Sequence, residues 1–409
     1  MTVIAKPTGA GCNLDCQYCF FLSKELLYDV PRQLMSEETL RLYIQRFLEA
    51  SPDGEVTMLW QGGEPTLRGL DFFRKVVELC EELRRPAQQV GHALQTNGTL
   101  IDERWAQFLR QEDFLVGVSV DGPQELHDVY RVNRAGRGTH ELVVRGWEHL
   151  QRAGVRCNVL CTVHAANQDH GVEVYRYLRD SLGAHFIQFI PIVERVSQRN
   201  LEAAEAGWRG QDGTRLLYRQ VGRSTTSRSV LPERYGNFLS AVFDEWVVRD
   251  VGTVFVQDFD AALSSLFGIY SSCVHAPQCG NNLALEFNGD VYTCDHWVEP
   301  DWLLGSIEHA PFDELVDSLR MRRFARKKQW ELTKQCCRCP FLRLCWGGCP
   351  KDRFTNSIDG EPGHSYLCAG YSRFYAHALA DLGAMAQLVR ANRAPAQVMD
   401  PAVRSALRG

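Results

Sequence analysis

Through roughly the first 230 residues, short apolar runs alternate with longer stretches in which apolar residues recur every three or four positions. The runs at 56–60, 114–119, 157–163 and 185–190 have the length of buried strands, and another at 3–6 opens the chain. Between them, helical periodicity marks about 37–50, 68–84, 103–111, 139–153 and 170–182. Ser36, followed by Glu37, Glu38 and Thr39, gives the first helix a cap and an acidic first turn. Apolar strands separated by helices predict parallel strands with crossover helices, in an α/β barrel or an open sheet. On such folds the working loops follow the C-terminal ends of the strands.

From about 193 to 232 the pattern dissolves into Arg, Ser, Thr and Gly, which predicts a long surface connection able to order over a substrate. A helix at about 233–248, apolar at Phe238, Leu239, Val242, Phe243 and Trp246, leads into a cysteine-rich region. After about 388 the chain turns Ala/Arg-rich, as expected of a mobile end. The expected division is 1–232, 233–388 and a tail at 389–409.

Composition narrows the function. A chain of 409 residues is long enough for two or three domains. A net charge of −5 with both signs mixed provides no global field for nucleic acid or a membrane. The start lacks the apolar stretch of a signal peptide, and no run reaches spanning length, so a cytoplasmic location is expected. Fifteen cysteines in a reducing compartment read as metal ligands rather than disulfides.

Their spacing is specific. Cys12, Cys16 and Cys19 form C-x3-C-x2-C just after the first expected strand. Three such thiolates can hold an iron–sulfur cube and leave its fourth iron open, as a catalytic metal site requires. Trp60-Gln61-Gly62-Gly63-Glu64-Pro65 follows the next strand; paired glycines admit close backbone approach, and Glu64 offers a carboxylate to an ammonium group. Gln95-Thr96-Asn97-Gly98 and Ser119-Val120-Asp121-Gly122 end two more strands, and Gln188 lies within another, as a ligand contact or a core amide. Downstream, Cys273, Cys279, Cys294, Cys336, Cys339, Cys345, Cys349 and Cys368 make two sets of four, enough to ligate two further cubes fully or two zinc ions. Cys80, Cys157, Cys161 and Cys337 are left over.

The three-cysteine run and the Gly-Gly-Glu-Pro segment resemble the radical S-adenosylmethionine (SAM) enzymes, and the later cysteines resemble the SPASM annex of that superfamily. Asn281 to Tyr292, Cys294-Asp295-His296, Leu304-Gly305-Ser306-Ile307, Cys345-Trp346-Gly347-Gly348-Cys349-Pro350 and Cys19-Phe20 narrow the resemblance to the anaerobic sulfatase-maturating enzymes. It implies a partial (βα)6 barrel with a SPASM domain, three 4Fe–4S clusters and SAM. Gln61, Gly62, Gly63, Glu64 and Ser119 would contact SAM, with Asp121 and Asn97 near its ribose. Cys273, Cys279, Cys294 and Cys349 would hold the first auxiliary cluster, and Cys336, Cys339, Cys345 and Cys368 the second.

The implied reaction oxidises a Cys or Ser within Cys/Ser-x-Pro/Ala-x-Arg of a sulfatase polypeptide to Cα-formylglycine. A 5′-deoxyadenosyl radical abstracts hydrogen from Cβ. A donor such as flavodoxin or ferredoxin supplies electrons. Asp295 matches the family's proposed base, and a site of low polarity would raise its pKa. Phe21 stands where some relatives have Tyr. His296 reads as a supporting side chain. The basic run from Arg320 to Lys328 reads as a solvated helix face or a surface for an acidic partner. Two alternatives stay open: modification of a ribosomally made peptide on the same scaffold, and a non-catalytic zinc or electron-transfer protein. The first would often add an N-terminal peptide-clasping domain, for which the start of this chain leaves no room.

Overall fold

The computed structural model describes residues 1–30, 33–210, 212–280 and 282–408. Six strands follow one another in parallel: β1 (Thr2–Ala5), β2 (Gly54–Trp60), β3 (Gln88–Thr96), β4 (Leu115–Ser119), β5 (Arg156–Val163) and β6 (Phe186–Pro191). Helices Glu37–Ala50, Leu70–Leu83, Glu103–Gln111 and His140–Ala153 join the first five strands. Ser36 caps the first of these helices, its hydroxyl accepting from the Thr39 N–H at 3.0 Å. The alternating pattern thus gives parallel strands with crossover helices, as expected, and the partial barrel is the one the family resemblance implies.

Parity along the strands separates two faces. In register across the sheet, Val118, Val159 and Ile187 turn into the core under the helices. The alternate row, Ser119, Leu160 and Gln188, lies on the opposite, concave face with Gln95 and Asn158. A sheet face carrying amides and hydroxyls is not a core. It is built to meet something polar.

The cysteine-rich region does not stand apart from this sheet. A short strand pair, β7 (Arg195–Val196) with β8 (Ser224–Thr225), belongs to the linking segment, and β9 (Phe255–Val256) adds to β6. Then β10 (Asn282–Leu285) pairs in parallel with β1, Leu285 opposite Ala5, and β11 (Asp290–Tyr292) and β12 (Leu303–Ser306) continue it antiparallel. The result is one ten-stranded sheet. Asn281, quoted for the resemblance, lies outside the described residues.

Two helices, Pro232–Arg249 and Cys368–Arg390, cross at glycines. A Cβ on Gly370 would lie 2.2 Å from the Pro232 carbonyl oxygen, and one on Gly236 would lie 2.6 Å from that of Gly370. No side chain fits between them.

Two expectations are corrected. The segment from 193 to 232 is not merely surface: Val196, Ala204, Trp208 and Tyr218 form a small core. Within the segment, Arg228 and Glu194 make a buried ion pair at 2.7 Å. Its hydrophobes are too widely spaced to show a period. The tail is not a free end either. Residues Pro395–Met399 and Pro401–Leu407 are helical, Val398 is buried, and Arg408 donates to Asp381 at 2.7 Å. No helix among the described residues is long and apolar enough to cross a membrane.

Candidate active site

The loop after β1 carries Cys12, Cys16 and Cys19, and the ends of the neighbouring strands grip it. Gly62 and Gly63 follow β2. The Gly63 N–H donates to the Gly9 carbonyl at 2.9 Å, and the Glu64 N–H donates to that of Gly11 at 2.8 Å. A Cβ on Gly63 would fall 2.0 Å from the Gly11 oxygen, while Gly62 has φ +135°. The paired glycines are required because two backbones touch here. Gln61 donates its N–H to the Ala5 carbonyl at 2.9 Å, continuing the β1–β2 pairing.

Glu64 does not present the free carboxylate expected of it. Fully buried, it accepts from the Thr66 N–H (3.0 Å) and hydroxyl (2.6 Å), the Thr96 hydroxyl (2.7 Å) and the Asn97 N–H (2.7 Å). Burial raises its pKa although these donors pull it down. It ties the end of β2 to the end of β3.

Asn97 and Asp121, expected near a ribose, are likewise committed to the cysteine loop. The Asn97 amide donates to Asn13 Oδ1 at 2.8 Å and lies 3.7 Å from Cys12 Sγ. Asn13 in turn donates to the Thr99 hydroxyl at 2.8 Å. Asp121, fully buried, accepts from the Tyr18 hydroxyl at 2.5 Å and the Thr162 N–H at 3.0 Å. Arg131 donates to the same Tyr18 oxygen at 3.0 Å. Burial alone would raise the Asp121 pKa, but His164 and Arg131 hold it below the ordinary range. Sequence reasoning missed Thr99 and Arg131, which carry no motif.

The segment from 193 to 232 closes the other side. Asp15, between Cys12 and Cys16, accepts from Arg209 at 2.6 Å and from Arg215 at 2.8 Å. Lys24 donates to the Tyr218 carbonyl at 2.9 Å and pairs with Glu299 at 3.2 Å. Gln220 donates to the His296 carbonyl at 2.8 Å. The segment therefore bridges the cysteine loop and the Asp295–Trp297 turn.

At that turn Asp295, partly buried, forms an ion pair with buried Lys6, the residue after β1. The Lys6 ammonium also lies 3.6 Å from the centre of the Phe21 ring. Phe21 thus meets the cation that holds the carboxylate, where a tyrosine would offer a hydroxyl. The expectation of a raised Asp295 pKa is overturned: burial raises it, but Lys6, with His296 and Lys24, holds it below the ordinary value. Glu286, next to β10, is buried, with Oε1 unpartnered, and burial pushes it up to about 7. His296 packs on Phe20 at 5.2 Å between ring centres, and burial lowers it to about 4, so it is neutral at pH 7.

The remaining cysteines fall into two neighbourhoods. Beyond the effect of burial, Cys349 and Cys273 raise the Cys294 thiol, and Cys273 raises Cys279. Separately, Cys368 and Cys336 raise Cys345, and Cys336 and Cys339 raise Cys368. Cys336, Cys339, Cys345 and Cys368 line one small cavity with Phe341, Tyr371 and Tyr375. Cys337 lies apart, on a cavity of about 740 Å³ with Trp297, Trp302 and Lys327. Cys80 and Cys161 are buried, and Cys157 is half-buried.

The residues fit iron–sulfur clusters and SAM. Burial pushes Cys12, Cys16, Cys345 and Cys349 up to about 12, so these thiols stay protonated until a metal binds and would release their protons to it. Among the described residues no three His, Cys, Asp or Glu converge on a single ion, whereas a cube takes its ligands at separate corners. On the concave face, Asn158 Oδ1 and Thr162 Oγ1 are buried without a protein partner. Beside them Gln95 donates to Ser119 Oγ at 3.2 Å. These unfilled polar atoms suit a nucleoside. Gln188 shares the concave face with Ser119 rather than packing in the core.

Comparison with known proteins agrees. The radical SAM superfamily matches residues 7–178, and the SPASM iron–sulfur cluster-binding domain matches 273–340. The serine-type anaerobic sulfatase-maturating enzyme of Bacteroides thetaiotaomicron is 39% identical over 97% of this chain and 94% of its own. The cysteine-type enzyme of Clostridium perfringens is 32% identical over 92% and 96%. The solved structure of native anSMEcpe with bound AdoMet superposes with a TM-score of 0.80, at 32% identity, over 94% of this chain and 99% of that one. A second, with AdoMet and the Cp18Cys peptide, also gives 0.80, at 31% identity over 95% and 99%. The likeness spans nearly the full length of these relatives, and the chain belongs to the anaerobic sulfatase-maturating enzymes, radical SAM enzymes that generate formylglycine.

Proposed function

We propose that Asp295 is the base of this chain's reaction, taking the thiol or hydroxyl proton from a Cys or Ser of a sulfatase polypeptide as its Cβ is oxidised. The observation that carries this reading is the Lys6–Asp295 ion pair, set between the end of β1 and the Cys294 ligand. When bound, SAM and the cluster on Cys12, Cys16 and Cys19 supply the radical that removes hydrogen from Cβ.

Asp295 serves as a carboxylate that is ionised before substrate arrives, since Lys6 disfavours its protonation. A weak base suffices, because loss of hydrogen from Cβ makes the attached thiol or hydroxyl far more acidic. Lys6 orients the carboxylate, and Phe21 fixes Lys6. Glu286, whose Oε1 is unpartnered and whose charge couples to Lys6 and Asp295, would receive the proton afterwards. Gln95, Ser119, Asn158 and Gln188 on the concave face would hold SAM. The two four-cysteine sets would hold auxiliary clusters that accept the second electron from the substrate.

The finer partners belong to the same reading: a Cys/Ser-x-Pro/Ala-x-Arg segment as substrate, a flavodoxin or ferredoxin as electron donor, and a cytoplasmic site of action. Support for a peptide substrate comes from the related structure solved with AdoMet and a peptide. The test is anaerobic turnover of two peptides, one bearing Cys and one Ser in the motif. Aldehyde in step with 5′-deoxyadenosine supports the reading; 5′-deoxyadenosine with both peptides unchanged refutes it.

A further inference from the structure

The helix Leu319–Trp330 carries six arginines and lysines and no acidic residue, in a chain whose net charge is −5. Arg322, Arg323 and Arg326 are exposed and make no ion pair among the described residues. Trp330, 68% exposed, lies under the Arg326 guanidinium at 5.4 Å. Exposed tryptophan interleaved with unpaired arginine is the composition of a protein-binding hot spot rather than of an ordinary solvated face.

The opposite face of the same helix is built on ligands of the first auxiliary set. The Cys279 N–H donates to the Ala325 carbonyl at 3.2 Å. Lys328, buried, donates to the carbonyls of Cys273 at 2.5 Å and Val274 at 2.7 Å. A helix with its side chains is about 10–12 Å across, so a protein seated on the arginines would be within about one helix diameter of that ligand loop.

We propose that the exposed face of Leu319–Trp330 docks an acidic one-electron carrier protein that exchanges electrons with the cluster held by Cys273, Cys279, Cys294 and Cys349. The inference rests on the reading that oxidation of the substrate sends an electron to that cluster. The balance is explicit. One electron enters to cleave SAM, hydrogen leaves Cβ to 5′-deoxyadenosine, one proton leaves to the base, and one electron leaves through the cluster to reduce the carrier's oxidised form. Charge complementarity selects the occupant. The acidic balance of the whole chain repels an acidic protein, and this helix attracts it locally.

The test measures binding of a purified bacterial flavodoxin to the iron-loaded enzyme at several salt concentrations. It compares the native protein with the triple variant R322E/R323E/R326E, the charge-conserving R322K/R323K/R326K, and Trp330→Ala. Losing three rim charges is expected to weaken binding at least about tenfold and to flatten its salt dependence. The lysine variant should stay within a fewfold of native. Should charge reversal prevent iron loading, Trp330→Ala, expected to weaken binding about tenfold, decides the matter alone. Peptide turnover driven by dithionite is a separate arm and should be unchanged in every variant. Absence of aldehyde from the native enzyme in that arm would count against the sulfatase reading, while the binding arm would still judge the docking surface. Equal flavodoxin affinity in native, charge-reversed and Trp330→Ala proteins would overturn the proposal. So would a single-stranded oligonucleotide or the substrate peptide binding this helix more tightly than the carrier.

Discussion

Lys6 and Asp295, 289 positions apart in the chain, form a partly buried ion pair that joins the first barrel strand to the residue after Cys294. The pair couples the three-cysteine loop to the auxiliary region. It also sets the charge of the proposed base.

Replacing Lys6 by Met should strand the Asp295 carboxylate. Removing one partner of a fully buried pair costs about 3–5 kcal/mol, and with Asp295 partly exposed the loss should fall below that range while still lowering thermal stability. The ratio of aldehyde to 5′-deoxyadenosine should fall as well, since SAM cleavage does not use Asp295. Phe21→Leu, which loses only the ring under Lys6, should cost about 0.5–2 kcal/mol. Both are read by calorimetry and by product chromatography.

Gly63→Ala tests the brace of the cysteine loop. Its Cβ would fall 2.0 Å from the Gly11 oxygen, which is backbone and cannot swing away. Overpacking of this kind costs about 1–3 kcal/mol. The strain falls on the loop, so iron bound at the three-cysteine site should drop while the auxiliary sets still load. Iron and sulfide analysis of a variant lacking the auxiliary cysteines isolates that site.

Glu286 predicts a pH dependence. Its folded pKa of about 7 lies above the ordinary 4.5, so between those values the native state holds more protons than the unfolded one. Stability should therefore fall as pH rises through that window. Glu286→Gln removes this slope, and the melting temperature of the variant relative to native should climb from pH 5 to pH 8. A constant difference would show that Glu286 does not titrate there.

Asp15→Ala frees Arg209 and Arg215 from the cysteine loop. Partly exposed pairs contribute about 0–1 kcal/mol each, so global stability should change little. Local opening should rise, and trypsin should cut after Arg209 and Arg215 about tenfold faster.

Much of this was legible in the chain because local rules govern it. The spacing of Cys12, Cys16 and Cys19, the Gly62-Gly63 pair and the alternation from 37 to 190 each depend on neighbours in sequence. The pairing of β10 with β1 was not, since nothing local to Leu283 or Val3 announces a partner some 280 positions away. Glu64, Asn97 and Asp121 were found as polar residues at strand ends, but whether such a group faces a ligand or braces a loop depends on donors elsewhere, such as Thr96, Thr99 and Arg131. The direction of the Asp295 pKa failed for the same reason. Burial was foreseeable from its surroundings, and Lys6 was not.

The measurement that bears most directly on the account is product analysis of native enzyme against Asp295→Asn, loaded with iron and sulfide and given SAM, dithionite and the Cys or Ser peptide without oxygen. The account predicts that the native enzyme yields formylglycine peptide in step with 5′-deoxyadenosine. The variant should still cleave SAM, with aldehyde reduced at least about a hundredfold, the lower range for loss of a general base. Undiminished aldehyde from the variant would contradict the role given to Asp295.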